Sequence, residues 1–88
     1  MKHSRPDYNE RIQDSANLIP ADEPVFLLRA QDKHAPATVR GWAARVEKEE
    51  GITEIVMAAL SQAKEMEGWQ KMHGQKQPDL LSENLLRD

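Results

Sequence analysis

The residues best suited to chemistry in this chain directly follow one apolar run. Val25 to Leu28 are four successive large apolar residues. The polar cluster after them consists of Arg29, Gln31, Asp32, Lys33 and His34. A packed apolar run would hold such a mixed-charge tip in a fixed place, which suits a binding site for a ligand or a partner. The cluster carries no catalytic signature.

Asp32 and His34 admit two interpretations. They could form a small polar site that exchanges protons, because burial can tune any carboxylate. Alternatively, Asp32 caps a turn ahead of Pro36 and its neighbours are solvated, which is ordinary turn chemistry and the interpretation we favour. No nucleophile motif, phosphate-binding glycine loop or nucleophile–base pair accompanies these residues. The sequence therefore predicts no catalytic residues and a protein that is not an enzyme.

Metal binding is equally unsupported by the residue spacing. The three histidines at positions 3, 34 and 73 are far apart, and none lies in a paired-ligand motif. The chain has no cysteine, which excludes disulfides and thiolate zinc sites. We expect no metal and no cofactor.

Three cations suggest a ligand. Arg29, Lys33 and Arg40 could hold a phosphate, because a guanidinium matches a phosphate in bidentate fashion. Trp42 lies close in sequence and could stack on a base. The alternative is that Trp42 belongs to the core, since it shares a helical face with Val39 and Val46. If the three cations form a binding site, the expected ligand is small, anionic and nucleotide-like.

Length and charge limit the remaining classes. An 88-residue chain forms one domain with a marginal core, so we expect a homo-oligomer. Twelve Lys and Arg against fifteen Asp and Glu give a net charge of −3, which disfavours general binding to duplex DNA. No apolar run is long enough to span a membrane, and no secretory leader is recognisable. We expect a cytoplasmic protein.

The chain divides into three predicted parts: residues 1–20 as a flexible N-terminal arm, 21–78 as a helical domain and 79–88 as a leucine-rich C-terminal helix. In the arm, the spacing of Tyr8 and Ile12 allows one helical turn. Residues 22–34 are ambiguous. We favour a helix there, because the alternative, a strand near residues 24–30, would need a partner from another copy of the protein.

Two helices are clearly predicted. The first begins at Pro36, ends at Gly51 and carries Arg45 and Glu49 as an i,i+4 pair. The second is capped by Thr53, runs from residue 54 to about 72 and ends at His73-Gly74. Its expected buried stripe contains Ile55, Ala59, Ala63, Met66 and Trp69, flanked by Val56 and Leu60.

The expected fold is mainly α, a small bundle of three to four helices. Four leucines in the last part of the chain will not remain comfortably in water, so we expect them to form an oligomer interface. These residues are Leu80, Leu81, Leu85 and Leu86.

Several of these segments resemble a group of small bacteriophage and prophage proteins. The resemblance covers about residues 18–81 and lies in Leu18-Ile19-Pro20, Glu23 to Asp32, Ala35-Pro36, Val39-Arg40, Trp42-Ala43, Met66, Trp69, Lys76 and Pro78-Asp79-Leu80. The resemblance implies a phage context but no mechanism. By analogy, such a protein acts by stoichiometric binding to a host protein or by sequestering a nucleotide-like signal used in defence. The alternative is a structural or assembly component of a virion or packaging complex.

Overall fold

A computed structural model describes residues 1–78 of the chain, and the leucines assigned to an oligomer interface lie outside this range. Within it, the helices are α1 (Tyr8–Arg11), α2 (Ala35–Glu50) and α3 (Glu54–His73). Two short strands, β1 (Lys2–His3) and β2 (Pro24–Val25), complete the regular structure. The protein is therefore mainly α, as predicted. The described residues divide into two compact units, Met1–Leu27 and Leu28–Pro78.

The first unit corrects the helix predicted over residues 22–34. β2 lies there instead and pairs in parallel with β1, with Lys2 opposite Pro24 and His3 opposite Val25. The N–H of Lys2 donates to the carbonyl of Glu23 at 2.8 Å. The strand alternative was therefore right about Pro24 and Val25, but it was wrong about the partner, which comes from the same chain. Proline can occupy such a two-stranded edge because its missing N–H faces away from the ladder.

Tyr8 is the buried centre of the first unit, with 5% of its surface exposed. Its ring lies beneath the guanidinium of Arg5, 4.4 Å from the ring centroid, and Arg11 lies 5.4 Å away. Asp7 accepts hydrogen bonds from both arginines, and the bond from Arg5 is the main cause of the lowered pKa of Asp7. The predicted turn is confirmed, since the N–H of Ile12 donates to the carbonyl of Tyr8. Cation–π contacts from the two arginines, which are themselves paired with Asp7, therefore stabilise the buried ring of Tyr8.

The second unit is an antiparallel hairpin of α2 and α3. Both helices end close to their predicted positions, at glycines with positive φ: Gly51 at +83° and Gly74 at +88°. The side-chain oxygen of Thr53 accepts from the N–H of Val56 at 3.4 Å, which confirms the predicted cap. The hairpin closes tightly because small residues lie between the helices: Ala35, Ala43 and Ala63 have no exposed surface.

The buried face of α3 differs from the prediction. Ala63 and Met66 are buried as expected, but Val56 is buried at 1% exposure while Ile55 is 55% exposed. Trp69, predicted to be core, is 40% exposed. The buried face thus keeps Ala63 and Met66 but begins at Val56 in place of Ile55. Within the described part of the hairpin unit, α2 alone packs on α3, and a single partner helix covers a narrow arc.

Trp42 likewise departs from the core assignment. It is 46% exposed, although Val39 and Val46 on its side of α2 are half-buried. Across the described residues, none of the helices is long and apolar enough to cross a membrane.

Candidate functional site

The polar cluster predicted from the sequence lies where the two ends of the hairpin unit meet. The N–H of Lys33 donates to the carbonyl of Lys76 at 3.0 Å, and the N–H of Lys76 donates to the carbonyl of Gln31 at 2.8 Å. The segment before α2 is therefore fastened to the segment after α3. Backbone bonds of this kind fix the loop without using the cationic groups of its lysines.

Gln70 reinforces this connection from within α3. Its side-chain nitrogen donates to the carbonyl of Ala30 at 2.8 Å and to the carbonyl of Asp32 at 3.0 Å. One amide thus satisfies two loop carbonyls and uses both of its N–H groups. The side chains at positions 31–34 are displayed from a loop that is held on two sides.

Asp32 and His34 form a turn, as favoured from the sequence. A carboxylate oxygen of Asp32 accepts from the backbone N–H of His34 at 2.8 Å. The imidazole Nε2 of His34 lies 3.3 Å from the side-chain oxygen of Gln77. Lys33 and His34 are both exposed at the surface of the loop, and so is Arg29 just before it.

Arg40 has a different situation from the other predicted cations. Both of its terminal nitrogens donate to the carboxylate of Glu67 on α3, one of them at 2.9 Å. These hydrogen bonds lower the pKa of Glu67 and raise that of Arg40. Glu67 thus occupies both terminal nitrogens of Arg40, and this ion pair joins α2 to α3.

An open groove of about 350 Å³ lies on the same end of the unit. It is lined by Glu67, Gln70, Lys71 and Gln75. Sequence reasoning missed these four residues, because they lie some forty positions after the polar cluster and only the hairpin brings them close. The useful signal in the sequence was the return of cations at Lys71 and Lys76 after the acidic middle of the chain.

Charge is distributed unevenly along the hairpin. We call residues 29–40 and 67–78 the cationic end; its five cations are Arg29, Lys33, Arg40, Lys71 and Lys76. Two carboxylates, Asp32 and Glu67, accompany them. The remaining residues, 41–66, carry three cations and five carboxylates. An acidic chain therefore has a locally positive end, which attracts anions.

An exposed aromatic pair lies at the cationic end. The ring of Trp69 stacks on that of His73, with centroids 4.5 Å apart and an angle of 28° between the planes. His73 is exposed and Trp69 is partly so. The stack holds the indole in place and leaves part of its surface in solvent, where a planar ligand can contact it.

Within residues 1–78, no group of three or more histidine, aspartate or glutamate side chains is placed to hold a metal ion. Comparison with known proteins finds no matching family model, no matching curated protein and no matching solved structure.

Proposed function

We propose that this is a small non-catalytic binding protein that sequesters a small anionic, nucleotide-like ligand by stoichiometric binding at its cationic end. The observation that carries the proposal is the excess of five cations over two carboxylates at this end of a chain whose net charge is −3. Phosphate groups are recognised by such clusters of Lys and Arg. The loop that presents Lys33 is fixed by hydrogen bonds, so little ordering would oppose binding.

Two further features favour a nucleotide over a simple anion. Trp69 offers an indole surface for stacking on a base, and stacking of this kind is worth about 1–3 kcal/mol per base. The amide of Gln75 and the side-chain oxygen of Gln70 line the groove at the same end, and amide groups pair with the polar edges of bases. Charge, stacking and hydrogen bonding together are the three interactions that a nucleotide requires.

Binding without turnover is supported by the use of the two carboxylates. Asp32 accepts from the backbone of His34, and Glu67 accepts from both terminal nitrogens of Arg40. Each carboxylate is thus committed to a structural bond, and the bonds to Arg40 lower the pKa of Glu67. A carboxylate with a lowered pKa is a weaker base at neutral pH.

The sequence resemblance implies a phage context. In that context, a protein that sequesters a nucleotide signal would inhibit the host defence that depends on the signal. The proposed setting is the host cytoplasm, and the proposed working form is a homo-oligomer. Sequestration needs one binding event per ligand and no cofactor. It therefore suits a chain of 88 residues.

Isothermal titration calorimetry with a panel of mono-, di- and cyclic nucleotides tests the proposal. We expect at least one nucleotide to bind and the matching nucleoside, without phosphate, to bind far more weakly. Lys33→Ala and Lys71→Ala should each weaken binding by about tenfold, the usual effect of losing one charged hydrogen bond. Lys64→Ala and Lys48→Ala, which remove the same charge from the acidic part of the hairpin, are the matched controls. Equal losses from all four variants, or no binding by the parent protein, would refute the proposal.

A second candidate function is binding to a host protein. Met57 and Met72 are 61% and 82% exposed, and flexible methionines suit adaptable protein contacts. Met57 lies outside the cationic end, whereas Met72 lies within it. Met57→Ser should therefore abolish capture of a host protein while nucleotide titrations stay unchanged, so the two functions can be separated.

A further inference from the structure

One edge of α2 combines exposed apolar and charged residues at helical spacing. We call it the α2 edge, and its members are Trp42, Arg45, Val46 and Glu49. Positions separated by three, four and seven residues share one side of a helix, so these four form a continuous stripe. Trp42 is 46% exposed and Val46 is half-buried. The stripe has the pattern of a helix that packs against another helix.

The charged pair in this stripe has no partner in its own helix. Arg45 and Glu49 are one turn apart and exposed, yet within residues 1–78 no ion pair joins them to each other or to another side chain. The i,i+4 pair expected from the sequence is therefore not formed. The acid follows the base, which is the weaker order for such a pair within one helix.

We propose that the α2 edge is a two-fold interface at which α2 packs antiparallel against α2 of a second copy of this chain. In an isologous interface both copies use the same surface patch. If residue i of one copy contacts residue j of the other, then j of the first copy also contacts i of the second. A two-fold axis that crosses the α2 edge at the level of residue 47 brings Arg45 opposite Glu49 of the second copy, and Glu49 opposite its Arg45. The same axis brings Trp42 toward the turn that follows α2 in the second copy, which contains Ile52, a residue that is 72% exposed in the single chain.

Charge complementarity selects a second copy as the occupant. Arg45 and Glu49 have opposite charges and lie symmetrically about one point of the helix. The edge is therefore complementary to itself, and two copies form two equivalent ion pairs around an apolar centre. An unrelated partner would need the mirrored order of charges, whereas a second copy supplies it automatically.

This interface does not depend on the nucleotide proposal. The α2 edge begins after the cationic end, and Ile52 lies in the hairpin turn, so a dimer leaves Lys33 and Lys71 exposed. The small area of one helix edge, compared with about 800 Å² per partner in a standard interface, indicates a dimer in the micromolar range.

Sedimentation equilibrium of the full chain and of charge-reversed variants tests the interface. Arg45→Glu and Glu49→Arg should each weaken the dimer by about tenfold or more, since each places like charges together. The double variant with both changes should restore dimerisation, because it exchanges the two charges and keeps the complementarity. Lys64→Glu, an equal reversal on the exposed side of α3, should leave the dimer unchanged.

Three outcomes would overturn the proposal. The parent protein could remain a monomer at high micromolar concentration, or the double variant could dimerise no better than the single variants. Charge reversal could leave association unchanged while deletion of residues 79–88 abolishes it. That result would place the interface at the C-terminal leucines. Circular dichroism of each variant confirms that it is folded before its association is measured.

Discussion

Adjacent positions 55 and 56 in α3 provide the sharpest test of the hairpin core. The apolar periodicity of the sequence places Ile55 in the buried stripe, whereas the structure buries Val56 and leaves Ile55 55% exposed. The variants Ile55→Ala and Val56→Ala differ by one position and remove similar side chains. Their order of destabilisation therefore reports which face of α3 contacts α2.

The expected magnitudes follow from burial. Val56→Ala removes two carbons from a site with 1% exposure, and at roughly 0.8 kcal/mol per buried methylene this costs about 1.6 kcal/mol before the cavity is counted. The cavity left in a tightly packed hairpin raises the loss in unfolding free energy to about 2–3 kcal/mol. Ile55→Ala removes more carbon, but over half of that residue is already in water. Alanine gains about 0.5 kcal/mol of helix propensity at either position, so we expect a net loss of about 0.5 kcal/mol for Ile55→Ala and about 1.5–2.5 kcal/mol for Val56→Ala.

Urea unfolding followed by circular dichroism measures both losses. The measurement belongs at low protein concentration, where association does not contribute to stability. Equal slopes against urea for the two variants would confirm that the difference lies in the folded state. A larger loss for Ile55→Ala than for Val56→Ala would refute the packing described above and restore the face predicted from the sequence.

Three further perturbations test the loops and the ion pair. Gly51→Ala should lower the unfolding free energy by about 1–3 kcal/mol, because φ +83° with an extended ψ is a backbone conformation that glycine adopts and alanine does not. Gly68→Ala has open space around the new methyl and should raise the unfolding free energy by about 0.5–1 kcal/mol. Thermal melting of the two variants measures this difference. Gln70→Ala should lower the unfolding free energy by about 1–2 kcal/mol, because two loop carbonyls lose their hydrogen-bond donor. Gln62 is an exposed glutamine on the same helix, so urea unfolding of the control Gln62→Ala should show almost no change. For Glu67→Gln, the pKa of Glu67 lies below its ordinary value of 4.5, so its ion pair adds stability above pH 4.5 that is lost as the pH falls through the folded-state pKa. The difference in melting temperature between parent and variant should therefore become smaller in acid. A difference that stays constant from neutral pH to pH 3, roughly a unit and a half below the ordinary pKa, would contradict this linkage.

Local signals made the ends of the two long helices predictable from the sequence. Pro36 and Thr53 mark helix starts, and Gly51 and Gly74 mark helix ends, because proline, a capping hydroxyl and glycine each meet a need of the nearby backbone. Such needs involve only residues a few positions apart. The turn made by Asp32 was predictable for the same reason.

The sequence did not decide in favour of the strand at Pro24–Val25, because the partner strand, Lys2–His3, lies more than twenty residues earlier. An apolar run of four residues fits a helix or a strand equally well until the neighbouring backbone is known. The sequence therefore left both possibilities open. Distant pairing within the same chain decided between them.

The sequence by itself determined the mainly helical class, the two long helices and the polar segment at residues 31–34. The tertiary structure alone decided which side of α3 is buried, since that depends on a single partner helix covering part of a wide apolar surface. It also decided that Arg40 binds Glu67, whereas Lys33 and Lys71 share an exposed end. Side-chain type determines what a residue can bind. Only the folded chain determines which residues are near enough to bind the same ligand.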